Sequence, residues 1–180
     1  MMKSIFDEGK EQGIPEVLAA KDKRVAMQKA IFAKYPDQTL VDVNLNIPGP
    51  IKNNQYLEHL FNEGIKQLVA KFEAAGMHYH VAAEWHEDTG AEIFYVLQEP
   101  IKQVKVVCVE FEDQTALGRS FDADVLVKDE SMAMSRKDLG LPERKCFLCS
   151  RPAKECARSR RHSVAELQDY ISQVYFENVK

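Results

Sequence analysis

The sequence predicts an α+β protein: a mixed, largely antiparallel sheet with flanking helices. Three observations carry that prediction. Thr39 to Ile47 alternates, with Val41, Val43, Leu45 and Ile47 on one side and Asp42, Asn44 and Asn46 on the other, which is the period of a half-buried strand. Leu57, Leu60, Phe61, Ile65, Leu68, Val69 and Phe72 recur at helical spacing. The strand-like runs in the second half are joined by short links, which favour antiparallel returns over crossovers. With 180 residues, 45% of them apolar, the chain suits one domain over 1–180, with 142–162 a basic, cysteine-rich loop inside it.

Taken in order, Pro15 opens a helical stretch and Asp22 caps a second one that ends at Tyr35-Pro36. Arg24 and Gln28 stand one turn apart on it and read as a solvated pair. The alternating strand runs into Asn46-Ile47-Pro48-Gly49-Pro50-Ile51-Lys52, a rigid loop whose Gly49 would let a ligand approach the backbone. The helix from Asn54 to Ala75 stops at Gly76. Met77 to Trp85 and Glu92 to Leu97 read as strands, and Thr89-Gly90-Ala91-Glu92 between them as a turn whose amides suit a phosphate. After a helical turn at Pro100–Gln103, Val104 to Glu112 reads as the strongest strand, turning acidic at Glu110 and Glu112. Its short link favours an antiparallel return into the segment beginning at Asp122. Ser131 to Met134 reads as a third short strand. Ser163-Val164-Ala165-Glu166 fits a capping box opening a last helix, with Val164, Leu167, Tyr170, Ile171, Val174 and Tyr175 on its apolar side.

The chemistry centres on Asp122-Ala123-Asp124. On a strand these carboxylates share a face. Like charges so close repel unless a cation lies between them, and hard oxygens of this kind suit Mg²⁺ carrying phosphates. Alone, the motif fits a strand edge with two solvated aspartates better than a metal site. Glu110 or Glu112, on the expected neighbouring strand, is the candidate third carboxylate. Cys146-x2-Cys149-x6-Cys156-x5-His162 holds four ligands suited to structural Zn²⁺, against a plain reading of reduced cysteines and a surface histidine.

Net charge is −4, which excludes a general nucleic-acid binder. Arg144 to His162 nevertheless carries seven Lys/Arg against one acid, so a +6 segment sits on a remainder of −10. That asymmetry points to an anionic ligand or partner. The first residues lack the apolar core of a signal peptide, and no apolar run approaches the ~18 residues of a membrane span. A cytoplasmic protein with no membrane partner and with thiols or metal ligands rather than disulfides is expected.

Several of these motifs occur together in one family. The chain resembles the apo-citrate lyase phosphoribosyl-dephospho-CoA transferases, the holo-acyl-carrier-protein synthases of citrate lyase. The resemblance is carried by Asn46–Lys52, Thr89–Glu92, Glu110-Phe111-Glu112, Leu117-Gly118-Arg119 with Asp122–Val125, Arg144–Cys149 and Cys156–His162. It departs where the family has His-Pro and this chain has Thr115-Ala116, and where the family has Gly-Pro-Glu and this chain has Gly90-Ala91-Glu92. The resemblance implies a nucleotidyltransferase-like fold and transfer of a prosthetic group from 2′-(5″-triphosphoribosyl)-3′-dephospho-CoA to a serine of the citrate lyase acyl carrier protein, releasing pyrophosphate. Asp122 and Asp124, with Glu110 or Glu112, would hold Mg²⁺ or take the serine proton. Arg119 would stabilise the transferring phosphorus. Gly49, Lys52, Gly90, Gly118, Arg158, Arg160 and His162 would bind substrate, the Arg158–His162 run by gripping the donor or by steering an acidic carrier. The competing expectations are a zinc-stapled module that binds an acidic partner without chemistry, and the same chemistry on a different carrier protein.

Overall fold

The alternating segment becomes β1 (Thr39–Leu45), which lies inside a four-stranded sheet with β2 (Tyr79–Glu87), β3 (Gly90–Leu97) and β4 (Phe121–Leu126) in the order β2-β3-β1-β4. The computed structural model describes residues 3–180. Every pairing is antiparallel, so the sheet is not mixed. Strand alternation sorts the side chains onto two faces. Val41, Val43, Ile93, Tyr95, Leu97, Phe121, Ala123 and Val125 join the larger core. Helices α2 (Gln55–Ala74), α3 (Ile101–Gln114) and α5 (Val164–Asn178) contribute Leu60, Phe61, Leu68, Phe72, Val104, Phe111 and Ile171 to it. Leu40, Phe94, Val96 and Leu126 occupy the other face, with Ile31 of α1 (Ile14–Lys34) against them.

Three expected elements differ. Val104 to Glu112 is not a strand but the body of α3. Val104, Val107 and Val109 are buried and Val106 stands on the exposed side, so the run shows no polar stripe and its period is ambiguous from sequence. Val104, Val107, Cys108 and Phe111 follow helical spacing and are buried. The antiparallel return from this segment therefore does not exist, and Glu110 and Glu112, two apart on a helix, do not share a face. Ser131 to Met134 forms no strand. The first helix is continuous from Ile14 to Lys34, with Asp22 inside it; Gly13 is its N-cap, and the Gly13 amide donates to Glu16 Oε2 at 2.8 Å.

β4 is an edge strand, and an edge needs partners for its outward groups. Phe121 O accepts from Arg144 Nη2 at 2.5 Å, the Ala123 amide donates to Glu112 Oε2 at 3.2 Å, and Val125 O accepts from the Met134 amide at 2.9 Å. The third contact is all that remains of the expected third strand. Before β4 the chain turns tightly at Gly118–Ser120. A Cβ on Gly118 would stand 1.8 Å from Phe111 O, so only glycine lets this turn pack on the end of α3. Among the described residues no helix is long and apolar enough to cross a membrane.

Candidate functional site

Asp122 and Asp124 project from the same face of β4 as Asp42 and Asn44 from β1, since Asp124 pairs with Asp42 and Asp122 with Asn44. Glu92 of β3 pairs with Asn44 on its other side. Four carboxylates thus gather on one face of a sheet, beneath the middle of α1. Arg24 of α1 gives Nε and Nη2 to the two Glu92 oxygens at 2.6 and 2.8 Å, and its Nε lies 3.7 Å from Asp42. Gln28 donates to Asp42 Oδ2 at 2.9 Å. Arg24 and Gln28 are therefore working partners of the acids rather than a solvated pair.

Burial, then Glu92, pushes the Asp42 carboxyl up to about 9, with Gln28 and Arg24 pulling the other way. Its Oδ1 is buried without a hydrogen-bond partner. Asp124 remains solvent-accessible, yet the protein around it desolvates its carboxyl and Asp122 repels it, so its pKa is also raised. The repulsion expected from the motif is present, and Glu92 of β3 adds to it.

Two arginines stand at the entrance of β4. Arg144 Nη1 donates to Asp122 Oδ1 at 2.7 Å, and its Nη2 caps the carbonyls of Arg119 and Phe121 at 2.8 and 2.5 Å. Arg119 Nη2 donates to Lys145 O at 2.5 Å, and its guanidinium lies 4.2 Å over the Phe147 ring. Burial and the neighbouring Arg144 lower Arg119 to about 10, so it stays cationic at neutral pH. Arg119 Nη1 and Arg144 Nε are buried donors with no partner, the form of a site awaiting an anion. Glu112 lies beneath β4, where it accepts from Ala123 and Arg136 and stands 3.6 Å from Arg144. Burial raises its pKa against the opposing arginines and Lys105. It props the arginine and the strand rather than lining the open face. Glu110 is half-buried on α3.

Two cavities meet here, with Asn46 lining both. The smaller, about 190 Å³, is bounded by Lys21, Arg24, Asn44, Lys52, Gly90, Glu92 and Asp122. The larger, about 590 Å³, is bounded by Arg119, Phe147, Arg160, His162, Val164 and Leu167. Of the sequence-selected residues, Lys52 and Gly90 thus meet Asp122, while Arg119, Arg160 and His162 meet one another. Gly49 is instead seated against α5, where Gln168 donates to Pro48 O at 3.2 Å, and Arg158 is exposed and lines neither cavity. Thr115 stands where the resembled family has histidine; it donates to Phe111 O at 2.7 Å and accepts from the Gly118 amide at 3.0 Å, fixing the turn that carries Arg119.

On the wall of the larger cavity, which Cys146, Cys156 and His162 line, Cys146, Cys149, Cys156 and His162 bring their ligand atoms within 4.8 Å of one another, a set able to hold a metal ion. Cys156 sits on α4 (Ala153–Ser159). The His162 ring and then the Arg151 backbone draw the Cys149 thiol down to about 6, while burial pushes Cys156 up to about 11.

Sequence reasoning missed Asp42, Glu92 and Lys105, the last a buried cation of α3 whose charge favours ionised Asp124. Asp42 left a signal as a carboxylate on the polar side of an alternating strand, and Glu92 as the last residue of the Thr89–Glu92 turn.

The family model for apo-citrate lyase phosphoribosyl-dephospho-CoA transferase matches residues 12–178. The chain is 35% identical over 154 residues to the apo-citrate lyase phosphoribosyl-dephospho-CoA transferase of Citrobacter koseri, covering 86% of this chain and 83% of that protein. It is 34% identical over 154 residues to the enzyme of the same name from Escherichia coli O1:K1, with the same coverage, 86% and 83%. It is 33% identical over 176 residues to a probable enzyme of that name from Streptococcus pyogenes serotype M18, covering 97% of this chain and 91% of that one.

Proposed function

Because the chain belongs to the apo-citrate lyase phosphoribosyl-dephospho-CoA transferase family, we propose that it attaches the prosthetic group of citrate lyase. The donor is 2′-(5″-triphosphoribosyl)-3′-dephospho-CoA and the acceptor a serine hydroxyl of the acyl carrier protein subunit. The serine oxygen forms a bond to the α-phosphorus. The bond from that phosphorus to the β-phosphate bridging oxygen breaks, and pyrophosphate leaves. The nucleotidyltransferase-like character of the fold belongs to this same reading.

One observation carries the reading: carboxylates and arginines converge at the start of β4 with both an acceptor and donors unsatisfied. Asp42 Oδ1 lacks a partner, and Arg119 Nη1 and Arg144 Nε lack theirs. The hard-oxygen set of Asp122, Asp124 and Asp42 fits Mg²⁺, which those residues would hold. When bound, Mg²⁺ neutralises triphosphate charge. Arg119, which lines the larger cavity with its Nη1 unpaired, would receive the phosphates, and Arg144, bonded to Asp122, would add its charge as pyrophosphate departs. Lys52 and Lys21 border the smaller cavity and hold the far end of the triphosphate. Asp124, raised in pKa and open to solvent, accepts the serine proton. Glu112 keeps Arg144 in place from below. The Cys₃His set would hold a metal ion such as Zn²⁺.

The test is direct. Protein, Mg²⁺, donor and apo-carrier are mixed and the carrier is weighed. The expected result is a gain of one phosphoribosyl-dephospho-CoA with release of pyrophosphate. Asp122→Asn should slow transfer by at least about 10²–10³-fold, the scale for losing one transition-state charge contact. An unmodified carrier with the wild-type protein would sink the proposal.

A further inference from the structure

We propose that Cys146, Cys149, Cys156 and His162 bind one zinc ion, and that this ion anchors a hairpin that holds Arg144 and Arg119 at the start of β4. The first half stands without the transferase reading. The second rests on that reading only for the identity of the anion the arginines meet.

The donor set is three sulfurs and an imidazole with all ligand atoms within 4.8 Å, a combination that selects zinc over hard cations. The backbone around it has the form of a metal knuckle. The Cys146 amide donates to Arg151 O at 2.8 Å, the Ala153 amide to Arg144 O at 2.8 Å, and the Leu148 amide to Cys146 Sγ at 3.5 Å. His162 Nε2 is buried with no hydrogen-bond partner, so this ring has a nitrogen in want of a ligand. Between residues 144 and 162 only Cys156 is buried. A segment with so little core cannot hold its shape by apolar packing, and a metal supplies that energy instead.

The wiring to β4 runs through the three residues that flank Cys146, namely Arg144, Lys145 and Phe147. Arg144 bonds the carbonyls of Arg119 and Phe121 and the carboxylate of Asp122. Lys145 O receives Arg119 Nη2 at 2.5 Å. Phe147 carries the Arg119 guanidinium on one side and stacks on Tyr170 of α5, with ring centroids 5.4 Å apart and planes within 9°. Cys146, the first ligand, lies among these three. If the ion leaves, the residues that position both arginines lose their anchor, and the Gly118–Ser120 turn loses its outer wall.

Three measurements on the intact protein test this. Metal analysis of chain purified without chelator should give about one zinc per chain; a metal-free, folded protein overturns the site. Chelation followed by hydrogen exchange should speed amide exchange in 145–162 and by about tenfold or more in 119–125, leaving 93–97 unchanged. If 145–162 opens while 119–125 keeps its protection, the anchoring role is wrong. Arg144→Lys should retain zinc and still loosen 119–125, because the forked contacts to carbonyl and carboxylate are lost; unchanged exchange there overturns the wiring. None of these readouts requires transfer, so an inactive chain with this behaviour would refute the proposed reaction and leave the zinc anchor standing.

Discussion

Asp42 shows what the site costs at the level of one residue. It is fully buried, one oxygen has no partner, and its carboxyl is pushed up to about 9 by burial and by Glu92. An unfolded chain releases that proton near the ordinary value of about 4. A carboxyl raised on folding therefore contributes stability that is fully present below that ordinary value and is lost as pH climbs towards the folded one. The metal-free protein should lose thermal stability as pH rises from about 6 to 9, and Asp42→Asn should flatten that slope. At about pH 8 without divalent cations the variant should be the more stable protein by about 1–3 kcal/mol, near the cost of an unsatisfied buried polar group. In a melt this is roughly 2–4 °C per kcal/mol. Mg²⁺ should raise the melting temperature of the wild type and leave Asp42→Asn where it was, since a ligand stabilises only the state it binds. Equal pH slopes for the two proteins would remove Asp42 from the site.

At the scale of elements, the site depends on how the end of α3 meets the start of β4. Gly118 makes that junction. A methyl group there would stand 1.8 Å from Phe111 O and 2.5 Å from Thr115 Oγ1, and the carbonyl belongs to the helix backbone and cannot swing aside. Gly118→Ala should cost about 1–3 kcal/mol, as overpacking does. By shifting Arg119 it should also slow transfer more than a stability loss of that size explains; a melt and a rate at one temperature check both. The same junction marks where the sequence was hard to read. β1, α2 and α5 were legible because each shows one apolar side and one polar side, and β2 and β3 because they are short runs on either side of a turn. α3 was not, because Val104, Val107 and Val109 are all buried and a helix covered on most sides looks like a strand. With α3 misplaced, the third carboxylate was sought at Glu110 and Glu112, whereas Asp42 lies directly across from Asp124. The pattern did put Asp42 on the correct face. What it could not show is that α1 covers that face, because contacts such as Arg24 to Glu92 join residues 68 apart in the chain.

Across the whole molecule, charge is divided between a +6 segment at 144–162 and a remainder of −10, and the fold places the positive residues in two settings. Arg160 lines the larger cavity beside Arg119, in position to meet the donor. Arg158 and Arg161 are exposed and line neither cavity. They face solvent next in sequence to Arg160 and His162 of the larger cavity, where the proposed carrier, if acidic, would arrive through the field of an otherwise negative molecule. Steering of this kind acts on encounter more than on the bound complex, and it is screened beyond about 8 Å at physiological salt. The double variant Arg158→Glu with Arg161→Glu should therefore lower kcat/KM for the carrier by roughly tenfold at low salt, within the 10–10³ range of electrostatic steering, and by much less at high salt. Its KM for the donor should not change. Arg160→Ala should do the reverse, raising the donor KM at every ionic strength and leaving the salt dependence towards the carrier intact. Steady-state rates over a salt series, with each substrate varied in turn, separate the two. If both variants weaken the donor alone, the exposed arginines belong to the donor site and the carrier docks elsewhere. If both shift the carrier's salt dependence, the larger cavity is part of the docking surface and Arg160 has been assigned to the wrong substrate.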